Sequence, residues 1–440
     1  MGLSRSLSIG TSSLKAHQQK FDVISNNLAN ASTVGYKSNR ANFEEQFNQI
    51  YTRGRRPTEA GGVGAGGRNP LQMGLGVKIG SIQQNMQQGV IESTDRPLDM
   101  ALAGDGFFVY NLNGLEKYSR AGTINHDKAG NFVDSNTGGF LQGWNVSVDA
   151  NGKIVRDSEG NTVLNGKLEN LNISNDIISP PKQTSLVTLK GNLNSNMIAG
   201  DTRRTSINIF DSIGGVHTLE VIFTKSATAN QFTLSGTLDG LNLAIPAALQ
   251  NVTFNADGTL NSPTSLSISS TDLNALLGVN VFDTTSNLTL ELAPTNQLLN
   301  GLTQYSMPSS ASFATQDGFK MGSLEDLTVD DMGNIWGAFT NGQSEVLGRV
   351  ALAQFTNQEG LVRSGNNMFV SAPNSGYARI GTAGDIFQST TIKSGALEQS
   401  NVDIATQFTD MISTQRAFEA ASRTITVSDT LLAEINNLKR

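Results

Sequence analysis

Three glycines match, letter by letter, a pattern that binds dinucleotides in other proteins. Gly62, Gly64 and Gly67 have the G-x-G-x-x-G spacing of a turn in which the backbone approaches a pyrophosphate. Such a turn needs a buried strand before it and a helix after it. Residues 53–60 are instead polar and contain Pro57. We therefore interpret the glycines as a flexible segment and expect no cofactor there.

A second run carries side chains that could bind Ca²⁺. Asp149, Asn151, Gly152 and Asp157 supply oxygen atoms at close spacing. An EF-hand loop has its glycine at the sixth position and a glutamate at the twelfth, whereas here the glycine is fourth. Asn-Gly and Asp-x-x-Gly sequences are also typical of tight hairpin turns. Hairpin turns are the interpretation we prefer, and we expect no metal ion.

The residues that most often carry catalysis are scarce and scattered. His17, His126 and His217 are the only histidines, and they lie in three separate regions without ligand spacing. The chain has no cysteine, which excludes disulfides, thiolate metal sites and cysteine nucleophiles. No set of residues therefore indicates a catalytic triad or a metal centre, and we expect that the protein is not an enzyme.

The charge balance also argues against several classes of partner. Asp and Glu number 38 against 31 Lys and Arg, so the net charge is −7. An acidic chain does not attract a phosphate backbone, and we expect neither nucleic acid nor a small-molecule substrate. Arg53, Arg55 and Arg56 form the densest basic cluster, which we interpret as a solvated loop.

Both ends of the chain repeat large apolar residues at intervals of seven. The repeats are Leu7, Leu14, Phe21 and Leu28 at the start, and Ile404, Met411, Phe418, Ile425 and Leu432 at the end. Neither run contains proline. A sustained heptad predicts a helix whose apolar row follows a partner helix along its length.

These two predicted helices have too few large side chains to form a core alone. A second row on the first helix holds Leu3, Gly10, His17 and Ile24, and on the second helix we assign Thr414 to the polar face. We expect the two ends to pair with each other or between copies, with these heptad residues as the assembly contacts. Gly35 is a plausible stop for the first helix, and Asn401 or Asp403 a plausible cap for the second.

The middle of the chain predicts β-structure. Hairpin signals recur at Asn113-Gly114, Asp127 to Gly130, Asp330 to Gly333 and Asn341-Gly342. Prolines at 180, 181 and 308 indicate boundaries. The predicted division is a terminal helical domain, a connecting arm, a discontinuous β domain and an inserted outer β domain: 1–35 with 396–440, 36–80, 81–180 with 308–395, and 181–307. We expect a mainly β, nested, multidomain fold (α+β overall) with a coiled-coil-like base of paired terminal helices.

The sequence SNNLANASTVGYK at 25–37 closely resembles the N-terminal signature of the flagellar rod and hook axial proteins. That signature joins an Asn-Asn-hydrophobic-Ala-Asn core to a Gly-aromatic-Lys end. The matching positions are Asn26, Asn27, Leu28, Asn30, Gly35 and Tyr36.

Other segments resemble the same family, in order along the chain. Residues 395–403, with Gln415 to Phe418, are similar to its closing helix, and 105–109 to its discontinuous β domain. Phe210 to Leu219 resembles the inserted domain of the hook members. The resemblance therefore covers most of the chain.

This resemblance implies a structural subunit that assembles with itself into a helical tube outside the cell. We expect a hook subunit, a flexible joint that transmits motor torque to the filament. The implied partners are flagellar rod, hook cap and hook–filament junction proteins and the type III export apparatus. The first fourteen residues lack the apolar segment of a secretory signal, and we expect export without a cleaved signal peptide.

Two alternatives remain open at this point. A distal rod subunit would share both ends but usually lacks a large inserted domain, although rod proteins can carry extra residues near Tyr51 to Gln72. A secreted β-rich adhesin or carbohydrate-binding module would explain the Ser, Thr and Asn content but not the two heptad ends.

Overall fold

The chain is described by a computed structural model over residues 2–57, 66–148, 154–156, 162–293, 301–384 and 386–438. Gly62 and Gly64 of the glycine pattern lie outside the described residues, as do Asp149, Asn151, Gly152 and Asp157 of the calcium-like run. The structure therefore leaves those interpretations as predictions.

Two long helices lie at the ends of the chain. Helix α1 is Gly2–Ala29 and helix α3 is Ile404–Leu438, while the short α2, Ser270–Leu277, lies in the middle. Asp403 caps α3, because its Oδ1 accepts from the backbone N of Ala405 at 3.0 Å. The sequence prediction of a cap there is confirmed. Helix α1 ends before Gly35, and a turn connects the two.

The terminal helices run antiparallel and pack along each other. Ser6 Oγ lies 3.0 Å from Ser428 Oγ, and Asn27 Nδ2 donates to Gln407 Oε1 at 3.0 Å. These contacts join the start of α1 to the end of α3 and the reverse. We call this pair the helical base.

A two-stranded antiparallel hairpin follows the first helix. At its base, strand β1 (Asn39–Glu45) pairs with β4 (Val77–Gln84). Towards its tip, β2 (Asn48–Thr52) pairs with β3 (Leu71–Gly74). An isolated bridge continues the ladder at Arg55 and Arg68. We call residues 39–84 the arm. The sequence indicated an extended arm or loop but not its pairing, because Asn39 and Gln84 are distant in the chain.

The inner β region is built from two stretches of sequence. The first stretch holds β5 Ile91–Ser93, β6 Met100–Ala103, β7 Phe107–Leu112, β8 Leu115–Ser119, β9 Ile124–His126, β10 Phe132–Asp134, β11 Phe140–Asn145, β12 Glu169–Asn170 and β13 Ile178–Ser179. The second holds β25 Gly322–Val329, β26 Asn334–Phe339, β27 Ser344–Val350, β28 Leu352–Gln354, β29 Val362–Arg363, β30 Met368–Val370, β31 Arg379–Gly381, β32 Thr391–Ser394 and β33 Ala396–Glu398.

These two stretches interleave in one sheet. Its main order is β13-β25-β26-β27-β11-β7-β8-β30-β29, and two further pairs, β32 with β6 and β33 with β5, lead towards α3. The predicted hairpin turns are present. Asn113 and Gly114 both have positive φ, and so do Gly130, Gly333 and Gly342, because such turns require a left-handed backbone.

The outer β region lies between the two inner stretches. Its strands are β14 Leu186–Asn192, β15 Thr202–Phe210, β16 Val216–Lys225, β17 Gln231–Leu238, β18 Leu241–Leu243, β19 Asn251–Phe254, β20 Leu260–Ser262, β21 Ser265–Ile268, β22 Leu288–Glu291, β23 Leu302–Thr303 and β24 Ser312–Gln316. They form two sheets, with orders β21-β22-β14-β23 and β15-β16-β17-β19-β20. One core lies between the sheets and includes Leu273 of α2.

The described chain confirms the predicted class of a mainly β fold with a helix at each end. One strand falls on the other side of a predicted boundary. Strand β24 lies after residue 307, yet it pairs with β14 and belongs to the outer region. The proline at 308 therefore precedes the last outer strand rather than following it.

Candidate assembly interface

Helix α1 contacts α3 at Gly10, a member of the second heptad row. Ile24 of the same row is buried, and so is Ala16, which lies next to His17 of that row. A Cβ atom added at Gly10 would lie 2.8 Å from Cγ1 of Ile425. Glycine at this position therefore allows the two helix backbones to come together.

The matching row of α3 is also made of small or polar residues. Thr414 is 2% exposed, and Ala421 and Ser428 are buried at intervals of seven, in line with Gln407. The assignment of Thr414 to the polar face is wrong. Apolar size was the criterion for choosing the contact row, and close helix packing here selects small side chains instead.

The predicted heptad residues border this contact rather than forming its centre. Phe21 is 38% exposed, Phe418 is 41% exposed and Ile404 is 49% exposed. The remaining members are half-buried: Leu7, Leu14, Leu28, Met411, Ile425 and Leu432. The chain alone therefore brings these residues to the edge of the α1–α3 contact and leaves part of each one accessible.

Helix α3 also carries large apolar side chains that stay exposed. The exposed members, besides Ile404 and Phe418, are Phe408, Ile412, Val427, Leu431, Ile435 and Leu438. Nothing in the described part of the chain covers them. Exposed apolar side chains in this number on one helix are typical of a surface that contacts another protein.

The asparagine motif fastens the end of α1 to the rest of the chain. Asn27 is 1% exposed, and its Nδ2 donates to the Asn39 carbonyl at 2.7 Å. Its Oδ1 accepts from the backbone N of Asn39 at 2.9 Å and from Tyr36 Oη at 3.2 Å. Asn30 Nδ2 donates to the Asn26 carbonyl at 2.9 Å and holds the last turn. These contacts fix the angle at which the arm leaves α1.

Gly35 and Tyr36 complete the same junction. Gly35 has φ of +69°, and a Cβ there would lie 2.7 Å from the backbone N of Ala121. Its own N–H donates to the Glu398 carbonyl at 2.7 Å. The buried Tyr36 ring packs under the Arg363 guanidinium at 4.8 Å. The signature sequence is therefore explained locally, as a joint between α1, the arm and the inner β region.

A buried group of charges lies at the centre of this joint. Lys37 Nζ is 2.6 Å from Glu398 Oε1, and Arg120 Nη1 is 3.5 Å from Glu398 Oε2. All three side chains are at most 1% exposed. Burial lowers the pKa of Lys37 and of Arg120, and the Glu398 carboxylate opposes that shift in both.

Sequence reasoning did not identify Glu398 and Arg120 as partners. Glu398 lies in a segment that resembles the family, and Arg120 lies 278 positions before it. Glu398 Oε1 also accepts from the backbone N of Gly89 at 2.8 Å, and Arg120 donates to the Gly104 carbonyl at 2.8 Å. An alignment showing paired conservation of these charges is the signal that could have found them.

The described residues contain no candidate metal centre, since no three of their His, Cys, Asp or Glu side chains are placed to hold a metal ion. No helix of the described part has the length and hydropathy of a bilayer span. The geometry is suited to holding proteins together.

Three family descriptions match parts of the chain. "Flagella basal body rod protein" matches residues 7–37, "Flagellar basal body protein FlaE D2 domain" matches 170–319, and "Flagellar basal body rod FlgEFG protein C-terminal" matches 393–438. The first and last cover much of the helical base, and the second covers the outer β region.

Full-length relatives give the same result. The chain is 35% identical to the flagellar hook protein FlgE of Borreliella burgdorferi over 99% of this chain and 100% of that one. It is 34% identical to FlgE of Treponema pallidum over 100% of both chains. The crystal structure of Helicobacter pylori FlgE2 aligns with a TM-score of 0.45 at 16% identity, covering 70% of this chain and 100% of that one. On its sequence matches, the chain belongs to the flagellar hook protein family, whose members are structural proteins and not enzymes.

Proposed function

We propose that the chain is a subunit of the bacterial flagellar hook and that its copies assemble through the helical base into a helical tube. The observation that carries this proposal is the set of exposed apolar side chains on α3, which includes Phe418. Monomeric soluble proteins rarely expose so many large apolar side chains together.

The physical argument is that assembly buries what the single chain exposes. Complete burial of one large apolar side chain stabilises by about 1.5–3 kcal/mol. Helix α3 carries several exposed apolar side chains, and the partly exposed heptad residues of α1 add further apolar surface. In an open helical polymer the same contact repeats at every subunit. We propose that Leu7, Leu14, Phe21 and Leu28, together with the α3 heptad, become buried between copies.

We propose four domains from the way the cores divide. The terminal helical domain is 1–35 with 396–440, the arm with its link to α1 is 36–84, and the inner β domain is 85–180 with 319–395. The outer domain begins at 181 and extends to 318, which includes strand β24. Support comes from the buried clusters, because the outer cluster contains only residues between Val187 and Ala311. The inner clusters contain residues from both flanking stretches.

The outer domain also supports a hook subunit rather than a distal rod subunit. Its two sheets and separate core form a large inserted unit, and the matching family description covers 170–319. A secreted adhesin or sugar-binding module would not need the apolar face of α3. As hook subunit, the chain would act as a flexible joint that transmits motor torque to the filament.

The remaining partners follow from this role. We propose contacts with rod, hook cap and hook–filament junction proteins, and passage through the type III export apparatus without a cleaved signal peptide. Nucleic acid and small-molecule substrates have no part in this proposal, and neither does a cofactor. The location is the hook, at the cell exterior.

The substitution Phe418→Asp tests the proposal. It places a carboxylate in the contact between copies, and burying an unpaired charge costs several kcal/mol. We expect sedimentation of the full chain to show no polymer, and cells carrying the variant not to swim. The thermal melt of the β regions should be unchanged, because Phe418 lies outside their cores.

A matched control is Ile198→Asp, which changes an apolar residue that is 75% exposed on the outer β region. It should assemble and melt as the unmodified chain does. Normal polymer from Phe418→Asp would remove the assembly role of α3. A lost β melt in that variant would instead show that Phe418 supports a local core.

A further inference from the structure

The arm carries a strongly basic surface that the proposed contact between helices does not use. Arg55 and Arg68 face each other across the hairpin, with Arg53 and Arg56 beside them. All four are exposed, and none has an ion-pair partner within the described residues. Phe47, Ile50 and Leu71 of the same hairpin are more than half exposed. A two-stranded hairpin is marginal alone, so this surface is suited to a partner.

The position of this surface excludes neutralisation by the chain's own β regions. The arm runs back along α1, since the His17 and Phe43 rings lie 5.3 Å apart and Arg5 contacts Tyr51. The tip therefore lies beside the start of α1, whereas the joint to the inner β region lies at Asn27. Twenty-two helical residues separate these levels, or about 33 Å. Charges so far apart are screened, because the Debye length is about 8 Å at physiological salt.

The charge of the chain is divided between these parts. Residues 39–84 contain six Lys or Arg and three Asp or Glu, whereas residues 85–402 contain 17 and 29. The arm is thus basic and the β regions are acidic. The β regions of a second copy of the chain would supply a net opposite charge.

One site on the inner β region matches the arm in both charge and polarity. A pocket of about 400 Å³ has Leu98, Leu324 and Leu327 among its lining residues. Glu325 and Asp326, also in its lining, are exposed and have no ion pair within the described residues. The combination of apolar and acidic side chains complements arginines flanked by Ile50 and Leu71.

We propose that the arm of one copy binds the acidic face around Glu325 and Asp326 on the inner β region of the next copy. This contact rests on the proposed polymer and adds a second, electrostatic interface to the apolar one between helices. It joins unlike surfaces, so it continues along an open helical assembly rather than closing a pair. Salt weakens it more than it weakens the helix contact.

The test uses the full chain with wild-type polymer fragments as seeds, in 150 mM salt. Arg53→Glu/Arg55→Glu/Arg56→Glu should raise the protein concentration needed for sedimentable polymer at least tenfold. The control Lys128→Glu/Lys190→Glu/Lys320→Glu reverses the same number of exposed charges on the β regions and should change it less than twofold. Adding Glu325→Lys/Asp326→Lys to the arm variant should restore assembly to within threefold of the wild-type chain.

Each outcome has one meaning. Assembly of the arm variant at the wild-type concentration overturns this proposal and leaves the helix contact standing. Failure of the Glu325→Lys/Asp326→Lys changes to restore assembly also overturns it, since the arginines would then serve another acidic partner. Absence of polymer from the wild-type chain would instead overturn the proposed function.

Discussion

The outer β region and the helical base use their apolar residues in opposite ways. In the outer region Phe223, Phe232 and Leu219 are fully buried between two sheets, within one continuous core. In the base, small residues make the contact between α1 and α3, and large residues such as Phe418 stay partly exposed. The outer region thus contains its own stabilising interactions, whereas we propose that the base obtains part of its stabilisation from neighbouring copies.

The joint between the helical base, the arm and the inner β region is held in a third way. Lys37, Glu398 and Arg120 are charged, buried and linked by hydrogen bonds rather than by apolar packing. Such groups stabilise little relative to an apolar core, but they fix one geometry because few arrangements satisfy every charge. In a tube, this fixed geometry would set the angle between the helical base and the β regions.

The largest expected effect comes from removing the outer region altogether. Lys182 and Phe319 exchange two backbone hydrogen bonds of 3.0 Å, so the ends of the insertion lie side by side. Replacing residues 183–318 by a short Gly-Ser linker should remove one thermal transition and leave the inner β region folded. Differential scanning calorimetry measures this directly, and electron microscopy should still show polymer.

The same deletion tests whether the outer region folds independently of the inner β region. Loss of every cooperative transition in the shortened chain would mean that the inner β region needs the outer one to fold. Retention of two unchanged transitions would mean that the outer core is not the unit that melts.

The next largest effect is expected at the charged joint. Glu398→Gln removes the carboxylate that pairs with two buried cations, and breaking a buried pair costs about 3–5 kcal/mol. Denaturant unfolding should show this loss in the inner β transition, with the outer transition unchanged. The control Glu92→Gln changes an exposed carboxylate, which accepts a 2.9 Å hydrogen bond from Gln399, and should cost much less. Equal losses in the two variants would contradict the assigned role of Glu398.

A smaller effect is expected at the neck of the outer region. Asp317 accepts from the backbone N–H groups of Ser185 and Leu186, both at 2.8 Å, and pairs with Lys182 at 3.2 Å. Burial raises the pKa of Asp317, but these hydrogen bonds outweigh burial and lower it below its ordinary value. Asp317→Asn should destabilise the outer region by about 1–2 kcal/mol at pH 7.

The pH dependence of that loss has a definite sign. The Asp317 carboxyl has a lower pKa in the folded chain than in the unfolded chain. It therefore stabilises the fold at pH values above its unfolded pKa, and this stabilisation is lost as the pH falls through its folded pKa. The difference in melting between Asp317→Asn and the wild-type chain should therefore shrink below about pH 4. The exposed Asp176→Asn serves as the control, and a difference that grows in acid would contradict the assignment.

The sequence predicted the elements better than it predicted their contacts. Heptads at both ends and Asn-Gly turns are local signals, and the corresponding helices and hairpins are present. Which row of a helix meets its partner is not local information. The rows containing Gly10 and Thr414 face inwards because small side chains permit close approach, whereas size alone indicated the neighbouring rows.

Long-range pairing could not be predicted from the sequence for the same reason. The arm closes a ladder between Asn39 and Gln84, and the charged joint connects Lys37 with Glu398. No periodicity in either segment specifies such a partner. The family signature indicated that residues 25–37 matter, but only the geometry explains that they fasten a joint.

The central claim is that the helical base obtains its missing contacts from other copies, and hydrogen exchange tests it most directly. The measurement compares amide exchange in purified monomer and in assembled polymer, peptide by peptide. The account predicts that α1 and α3 exchange rapidly in the monomer and slowly in the polymer, while β15 to β17 of the outer region are protected in both. Equal, strong protection of α1 and α3 in a verified monomer would contradict it.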